Sequence, residues 1–197
     1  MNHREQLQGP HVHGDIVVSR FEYLKDHHGT ESIRNVLAAL SEEDRLAFTG
    51  FDREGWYPFA ALIRLDEKIA ALYAGGDPIL YERLGELSSH TRMAWLGEHA
   101  SLVNVHGFLS RTAETHGRFH SFGAAEYRRI GFSEGELRFS GYATPSPVYC
   151  RSAIGYLKAS LERLTGNAAA VEERSCQCRG DAACVFYMQW VMSRPEA

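Results

Sequence analysis

The chain is poor in cysteine, with four in 197 residues, and three of them fall within the ten residues Ser175 to Cys184, SCQCRGDAAC. So few thiols, so unevenly spread, do not make a disulfide framework, which shifts attention to metal binding, reactivity or simple burial. Long apolar runs are missing too. No stretch reaches the about 18 residues of a membrane-spanning helix, and the start, MNHREQLQGPHVHGD, holds no apolar segment of signal-peptide length, so a cytoplasmic protein is expected. Basic runs end at Arg128-Arg129 and the net charge is −4, which argues against nucleic acid or an anionic membrane as partner. No nicotinamide or flavin fingerprint occurs, and Gly75-Gly76 lacks the preceding strand and the Lys-Ser/Thr of a phosphate loop.

What is present is ordinary globular composition: 44% hydrophobic, 11% aromatic and 23% charged residues. The length suits one domain, expected over residues 15–192, behind a flexible tail at 1–14 in which His3, His11 and His13 stay loose. From Phe21 to about His120 the pattern is helical. Ser41 before EED forms an N-cap with a carboxylate three residues on, and Leu62, Leu65, Ile69, Leu72 and Tyr73 recur as a buried stripe opposite Asp66, Glu67 and Lys68. Pro78 opens the next helix, which is expected to break near Gly97 to Ser101 or at Gly107.

The pattern changes at Phe122. Tyr127, Phe132, Phe139 and Tyr142 around SEG predict a β-hairpin. A helix follows, with Ser146 as cap, Pro147 at its first position, Ile154, Leu157, Leu161 and Leu164 as stripe, and Gly166 as stop. A second hairpin, Ala169–Cys178 and Cys184–Val191, turns at RGD. Helices followed by β-β-α-β-β predict an α+β fold with an antiparallel sheet.

Cys150 lies in the first turn of its helix and shares the stripe of Ile154 and Leu157, so it faces the sheet, where the helix dipole favours a thiolate. Cys176 and Cys178 are expected on one side of a strand, with Cys184 returning on its partner. Three thiols from a hairpin and one from the packed helix are the elements of a tetrahedral structural zinc site. The competing reading is four separately buried thiols. A nucleophilic role lacks a base that the sequence can name, since no histidine follows His120.

The segment VEERSCQCRGDAACVFYMQW resembles the terminal signature of the 4-vinyl-reductase domain family, with Glu173, Cys176, Gly180, Cys184 and Phe186 on its pattern. PVYCRSAIGYLKASLERLTG is similar to the helix before that hairpin, in the early Cys and the Ile154-Gly155-Tyr156 step. The resemblance covers about 70 residues at the C-terminal end, and over the helical first half only the order of elements matches. It implies a fold related to heme–nitric-oxide-binding domains and the role of an effector-sensing domain of the kind that responds to phenols and xylenes. It also implies a zinc held by Cys150, Glu173, Cys176 and Cys184, whereas spacing alone favours Cys178 as the fourth ligand in place of Glu173.

Five histidines, His90, His99, His106, His116 and His120, share the long helical region with Trp95. The Tyr-x-Ser-x-Arg that holds heme propionates in the related family is absent, so heme is not expected and these histidines are assigned to structure or to pocket walls. Glu42, Glu43, Asp44 and the Asp66-Glu67 pair are assigned to solvated faces, leaving no catalytic residue. His106, Phe139, Tyr142, Tyr149 and Tyr156 are the expected ligand-binding residues, at a helix-on-sheet interface with an apolar cavity. The expected function is a non-catalytic sensor for a small apolar or aromatic molecule, acting as a homodimer on a downstream signalling protein. The alternatives are a tetrapyrrole-binding accessory protein of pigment biosynthesis and an interaction module whose pocket has been lost.

Overall fold

The structure, a computed structural model, describes residues 7–99 and 104–192, with the backbone alone at 92 and at 94–99. Its elements run β1 (His11–His13), α1 (Gly14–His28), α2 (Glu31–Ala39), α3 (Glu42–Ala47), β2 (Trp56–Pro58), α4 (Phe59–Tyr73) and α5 (Ile79–His99). They continue as α6 (Val105–Glu114), α7 (His116–Phe119), β3 (Ala124–Arg129), β4 (Glu134–Ser140), α8 (Pro147–Thr165), β5 (Ala169–Ser175) and β6 (Cys184–Trp190). This is the α+β order expected, helices first and β-β-α-β-β after them. Of the two places expected for a break in the long helix, the stretch from Gly97 to Ser101 runs out of the described residues after His99, and Gly107 lies inside α6.

The second half is one four-stranded antiparallel sheet in the order β3-β4-β6-β5. The two hairpins join through β4 and β6, with Phe139 opposite Cys184 and Leu137 opposite Phe186. Alternation decides which face is buried: Cys184, Phe186, Met188 and Trp190 turn inward on β6. They meet Leu157 and Leu161 of α8, both fully buried and each worth about 1.5–3 kcal/mol of burial. Helix α8 is punctuated as its sequence demands. Ser146 accepts from the Tyr149 amide, Pro147 opens the helix, and Gly166 ends it in the left-handed region at φ 68°. Its other side packs on α5, so α8 is the layer shared by the sheet and the N-terminal helices.

Several expectations are corrected. His11–His13 are not loose: they form β1, which pairs with β2. The first turn lies a little earlier than SEG, since Glu134 and Gly135 already belong to β4. Leu72 is half exposed rather than part of the stripe. The acidic residues of the helices are not all solvated. Asp66 is fully buried, its carboxylate taking two hydrogen bonds from the guanidinium of Arg20 at 3.0 and 2.9 Å. The stripe pattern missed this because a buried ion pair puts a charge where periodicity expects none.

Asp44 is the second case. Its amide completes the Ser41 cap, and its carboxylate accepts from Ser41 and, at 2.6 Å twice, from Arg64 of α4. The hydrogen bonds from Arg64, then that from Ser41, hold this carboxyl below the usual Asp range against the cost of burial. A depressed folded value stabilises above the unfolded pKa of about 3.9 and is lost as pH falls through the folded one. Asp44→Asn should therefore destabilise at pH 6 and lose its penalty in strong acid, which urea titrations at several pH values would show.

Candidate ligand pocket and thiol cluster

Four donor atoms meet where α8 enters against the end of β5 and β6. The sulfurs of Cys150, Cys176 and Cys184 and a carboxylate oxygen of Glu173 all lie within 4.8 Å of one another. The sulfur separations are 3.7 Å for Cys150–Cys176, 3.6 Å for Cys150–Cys184 and 3.9 Å for Cys176–Cys184. An ion with four ligands at about 2.3 Å has tetrahedron edges of about 3.8 Å, so this triangle has the size such an ion needs.

The hairpin builds the site by breaking its own regularity. The pairing of β5 with β6 shifts between Glu173 and Ser175, and β5 ends there instead of running on to Cys178. Cys176 then caps a short 3-10 turn, Gln177–Arg179, held by Asp181, whose carboxylate accepts from the Cys176 amide. Cys178 sits on that turn, exposed and outside the four-atom group. Period-two counting placed it beside Cys176 because the change from strand to turn is invisible to it.

The electrostatics of the cluster are those of donors crowded together. A hydrogen bond from Cys150 lowers the Cys184 thiol to about 6, helped by the Gln177 amide. That same pairing, with burial, pushes Cys150 far up, and burial takes Cys176 to about 12. One thiolate therefore forms readily and blocks the next. Glu173 adds a carboxylate that receives Arg179 on Oε2 while its buried Oε1 has no hydrogen-bond partner. A dication would relieve both the repulsion and the orphaned oxygen, so this donor set fits one.

Beside the cluster, and sharing Cys150 and Cys184 with it, is a cavity of about 130 Å³ between the helices and the sheet. Phe139, Tyr142, Tyr149 and Tyr156 line it, as expected from the sequence. His106 does not: it is held outside by the Tyr127 hydroxyl and the Phe132 carbonyl, on the far side of α6. Its place is taken by His116 and His120, whose rings stack at 4.1 Å. His99 and Trp95 have no described side chain, and His90 is exposed. Among the wall residues that sequence reasoning missed are Arg20, Ser88, Ser152 and Phe186. Only Phe186 carried a signal, its inward place on β6.

The polar tips of the cavity are oriented. His120 Nδ1 lies 3.3 Å from the His116 carbonyl, which can only accept, so a neutral ring keeps its proton there and Nε2 accepts from the Tyr149 hydroxyl. His116 Nε2 donates to the Phe122 carbonyl at 3.2 Å. Burial raises the Tyr142 hydroxyl well above its ordinary pKa, keeping it a neutral donor. At the far wall Arg20 donates to Ser88 and Ser152 as well as to Asp66, joining α1, α4, α5 and α8. Burial alone would lower the pKa of this guanidinium, but the Asp66 carboxylate raises it.

No protein-family model and no curated protein matches the chain. Solved structures do. An H-NOX protein from S. oneidensis in the Fe(II)NO ligation state superposes with a TM-score of 0.68 at 14% identity, over 90% of this chain and 98% of that one. A triple mutant of an S. oneidensis H-NOX protein in the Fe(II) state gives 0.72 at 14%, over 93% and 98%. A single-residue variant of Tt H-NOX gives 0.67 at 14%, over 94% and 100%. The chain thus has the H-NOX fold, the relation to heme–nitric-oxide-binding domains that the C-terminal resemblance implied.

This overturns the expectation about heme. The proteins that share the architecture are described by the ligation state of their iron and, in one case, by heme distortion, so a missing Tyr-x-Ser-x-Arg is no ground for setting heme aside. The cavity also holds the imidazoles of His116 and His120, donors of the type an iron porphyrin requires. Its volume is close to that of an apolar cavity that takes one benzene ring, about 150 Å³, so a porphyrin would enter with the helices and sheet moved apart.

Proposed function

We infer that this chain is a non-catalytic sensing domain. Its cavity takes a small, largely apolar molecule of about one aromatic ring, and Cys150, Glu173, Cys176 and Cys184 hold a structural zinc. The observation that carries the reading is the juxtaposition, at the start of α8, of an oriented, aromatic-lined cavity with a cluster of four donors, three of them sulfurs at the separations of a tetrahedral site. Tyr149 belongs to the first and Cys150 to the second, so a ligand that shifts α8 is felt at both. The resemblance to the 4-vinyl-reductase domain family supports both parts. The reading includes a cytoplasmic homodimer that passes its signal to another protein. No described helix is long and apolar enough to cross a membrane.

Titration calorimetry with phenol and toluene tests the pocket. Phenol should bind more tightly than toluene, and Tyr149→Phe should weaken phenol by about three- to tenfold, the worth of one hydrogen bond, while leaving toluene unchanged. Heat changes absent for both would leave the interaction-module reading.

Elemental analysis tests the zinc. About one ion per chain is expected, and a chelator should lower the midpoint of thermal unfolding. Cys150→Ser and Glu173→Gln should lose metal, whereas Cys178→Ser should keep it. A metal-free protein with Cys150→Ser as stable as the parent sinks the zinc.

The fold and the two cavity imidazoles favour heme as a second reading, for which one of the stacked rings of His116 and His120 would be an iron ligand and the porphyrin would supply the gas-binding centre. A Soret band in the protein as purified, or after hemin is added, with its loss in His120→Ala, decides for it.

A further inference from the structure

A carboxylate stands in the inward row of β5. Ala169, Val171, Glu173 and Ser175 are the less exposed positions of that strand, and Ala169 and Val171 pack against the core behind the sheet, so an acidic side chain in this row goes against the pattern. Its two oxygens are held differently. Oε2 accepts from the Arg179 guanidinium at 3.1 Å, whereas Oε1 is buried and has no hydrogen-bond partner. An ion pair formed for its own sake would leave both oxygens to water, as exposed pairs do; a carboxylate oxygen buried with nothing to satisfy it calls for a further partner, and the three sulfurs of the cluster lie beside it. Arg179 owes its place to the turn that follows. The 3-10 turn Gln177–Arg179 ends at Gly180, whose φ of 91° lies in the left-handed region, and Asp181 then reaches back to accept from the Cys176 amide. The guanidinium itself is half exposed, so it grips the carboxylate from the solvent side.

We propose that Arg179 is a positioning residue of the metal site: by holding Oε2 from outside it presents Oε1 to the ion that the three sulfurs surround. Its charge also offsets part of the negative excess that three thiolates and a carboxylate place around a dication. The RGD turn then serves the site with both its charged residues, Asp181 fixing Cys176 and Arg179 fixing Glu173. The proposal rests on the zinc reading and adds to it a residue that touches no metal yet sets how tightly the metal is held.

The test is zinc affinity, measured by competition with a chromogenic chelator for the full chain and for Arg179→Met and Arg179→Lys, with the melting temperature of each recorded with and without the metal. Arg179→Met should bind zinc about 10–100-fold more weakly, the usual cost of removing a group that orients a ligand. Arg179→Lys should recover most of that loss, since a single nitrogen makes the contact with Oε2. Stripped of metal, all three should melt alike, because an ion pair with a half-exposed partner adds little by itself. Equal zinc affinity in the parent and in Arg179→Met overturns the positioning role and leaves the zinc reading standing. A loss that Arg179→Lys does not recover, or that is matched by a lower melting temperature of the metal-free protein, assigns Arg179 to the structure of the turn and overturns the proposal as well. A parent that takes up no zinc overturns the zinc reading, and the positioning role with it.

Discussion

A methyl group at Gly155 is expected to destabilise the domain by at least about 3 kcal/mol, at the upper end of what overpacking costs. Helices α5 and α8 cross with backbone against backbone. A Cβ on Gly155 would lie 1.9 Å from the Glu82 carbonyl oxygen, and one on Gly85 1.8 Å from that of Ser152. Neither obstacle is the movable end of a side chain, so the helices must separate, and the buried Ser89–Ser160 hydrogen bond between them goes too. For a domain of this length 1 kcal/mol lowers the melting temperature by roughly 2–4 °C, so a fall of about 6 °C or more is expected for Gly155→Ala and for Gly85→Ala. Gly107→Ala is the control: it is helical, its Cβ would meet nothing nearer than 3.6 Å, and the change should be neutral or stabilising by about 0.5–1 kcal/mol. Equal melting temperatures for Gly155→Ala and Gly107→Ala would refute the close crossing. Because α8 carries Tyr149 and Cys150, Gly155→Ala should also weaken ligand and metal.

Asp66→Ala is expected to cost about 3–5 kcal/mol, measured by chemical denaturation, because it strands a guanidinium with no exposure to water. Burial pushes the Asp66 carboxyl up while Arg20 opposes it, and the bidentate geometry keeps the pair charged. Pairing removes most of the penalty of each ion but leaves no spare partner for either. Replacing both, as Arg20→Met with Asp66→Leu, should recover most of the loss, since two apolar side chains of similar volume bury without cost to solvation. A double variant no better than Asp66→Ala would assign the loss to the hydrogen bonds that Arg20 gives Ser88 and Ser152 at the cavity wall.

The parts legible in the sequence were those governed by neighbours in the chain. Ser146, Pro147 and Gly166 bound α8 because capping and the left-handed stop act within one turn. Alternation on β6 put Phe186 and Cys184 inward, and the stripe of α8 put Cys150 toward the sheet, so Cys150, Cys176 and Cys184 could be named as one group before any coordinates. Glu173 came from family resemblance, and the structure sets it among the thiols while Cys178 stands outside. The choice between those two turns on one register shift after Glu173, where a loop's hydrogen bond from the Cys176 amide to Asp181 outweighs continuation of the strand.

By itself the sequence determined the β-β-α-β-β order of the second half, the α+β class, the faces of α8 and β6, and three of the four converging donors, because each depends on spacing within a helix turn or a pleat. Only the tertiary structure decided that His116 and His120 rather than His106 reach the cavity, that Arg20 and Asp66 meet across 46 residues, and that α5 and α8 cross at Gly85 and Gly155. The reason is physical. Periodicity reports which side of an element is apolar, but a buried charge, a bare glycine or an inward histidine is favourable only once the partner that satisfies or abuts it has been brought there by the rest of the chain.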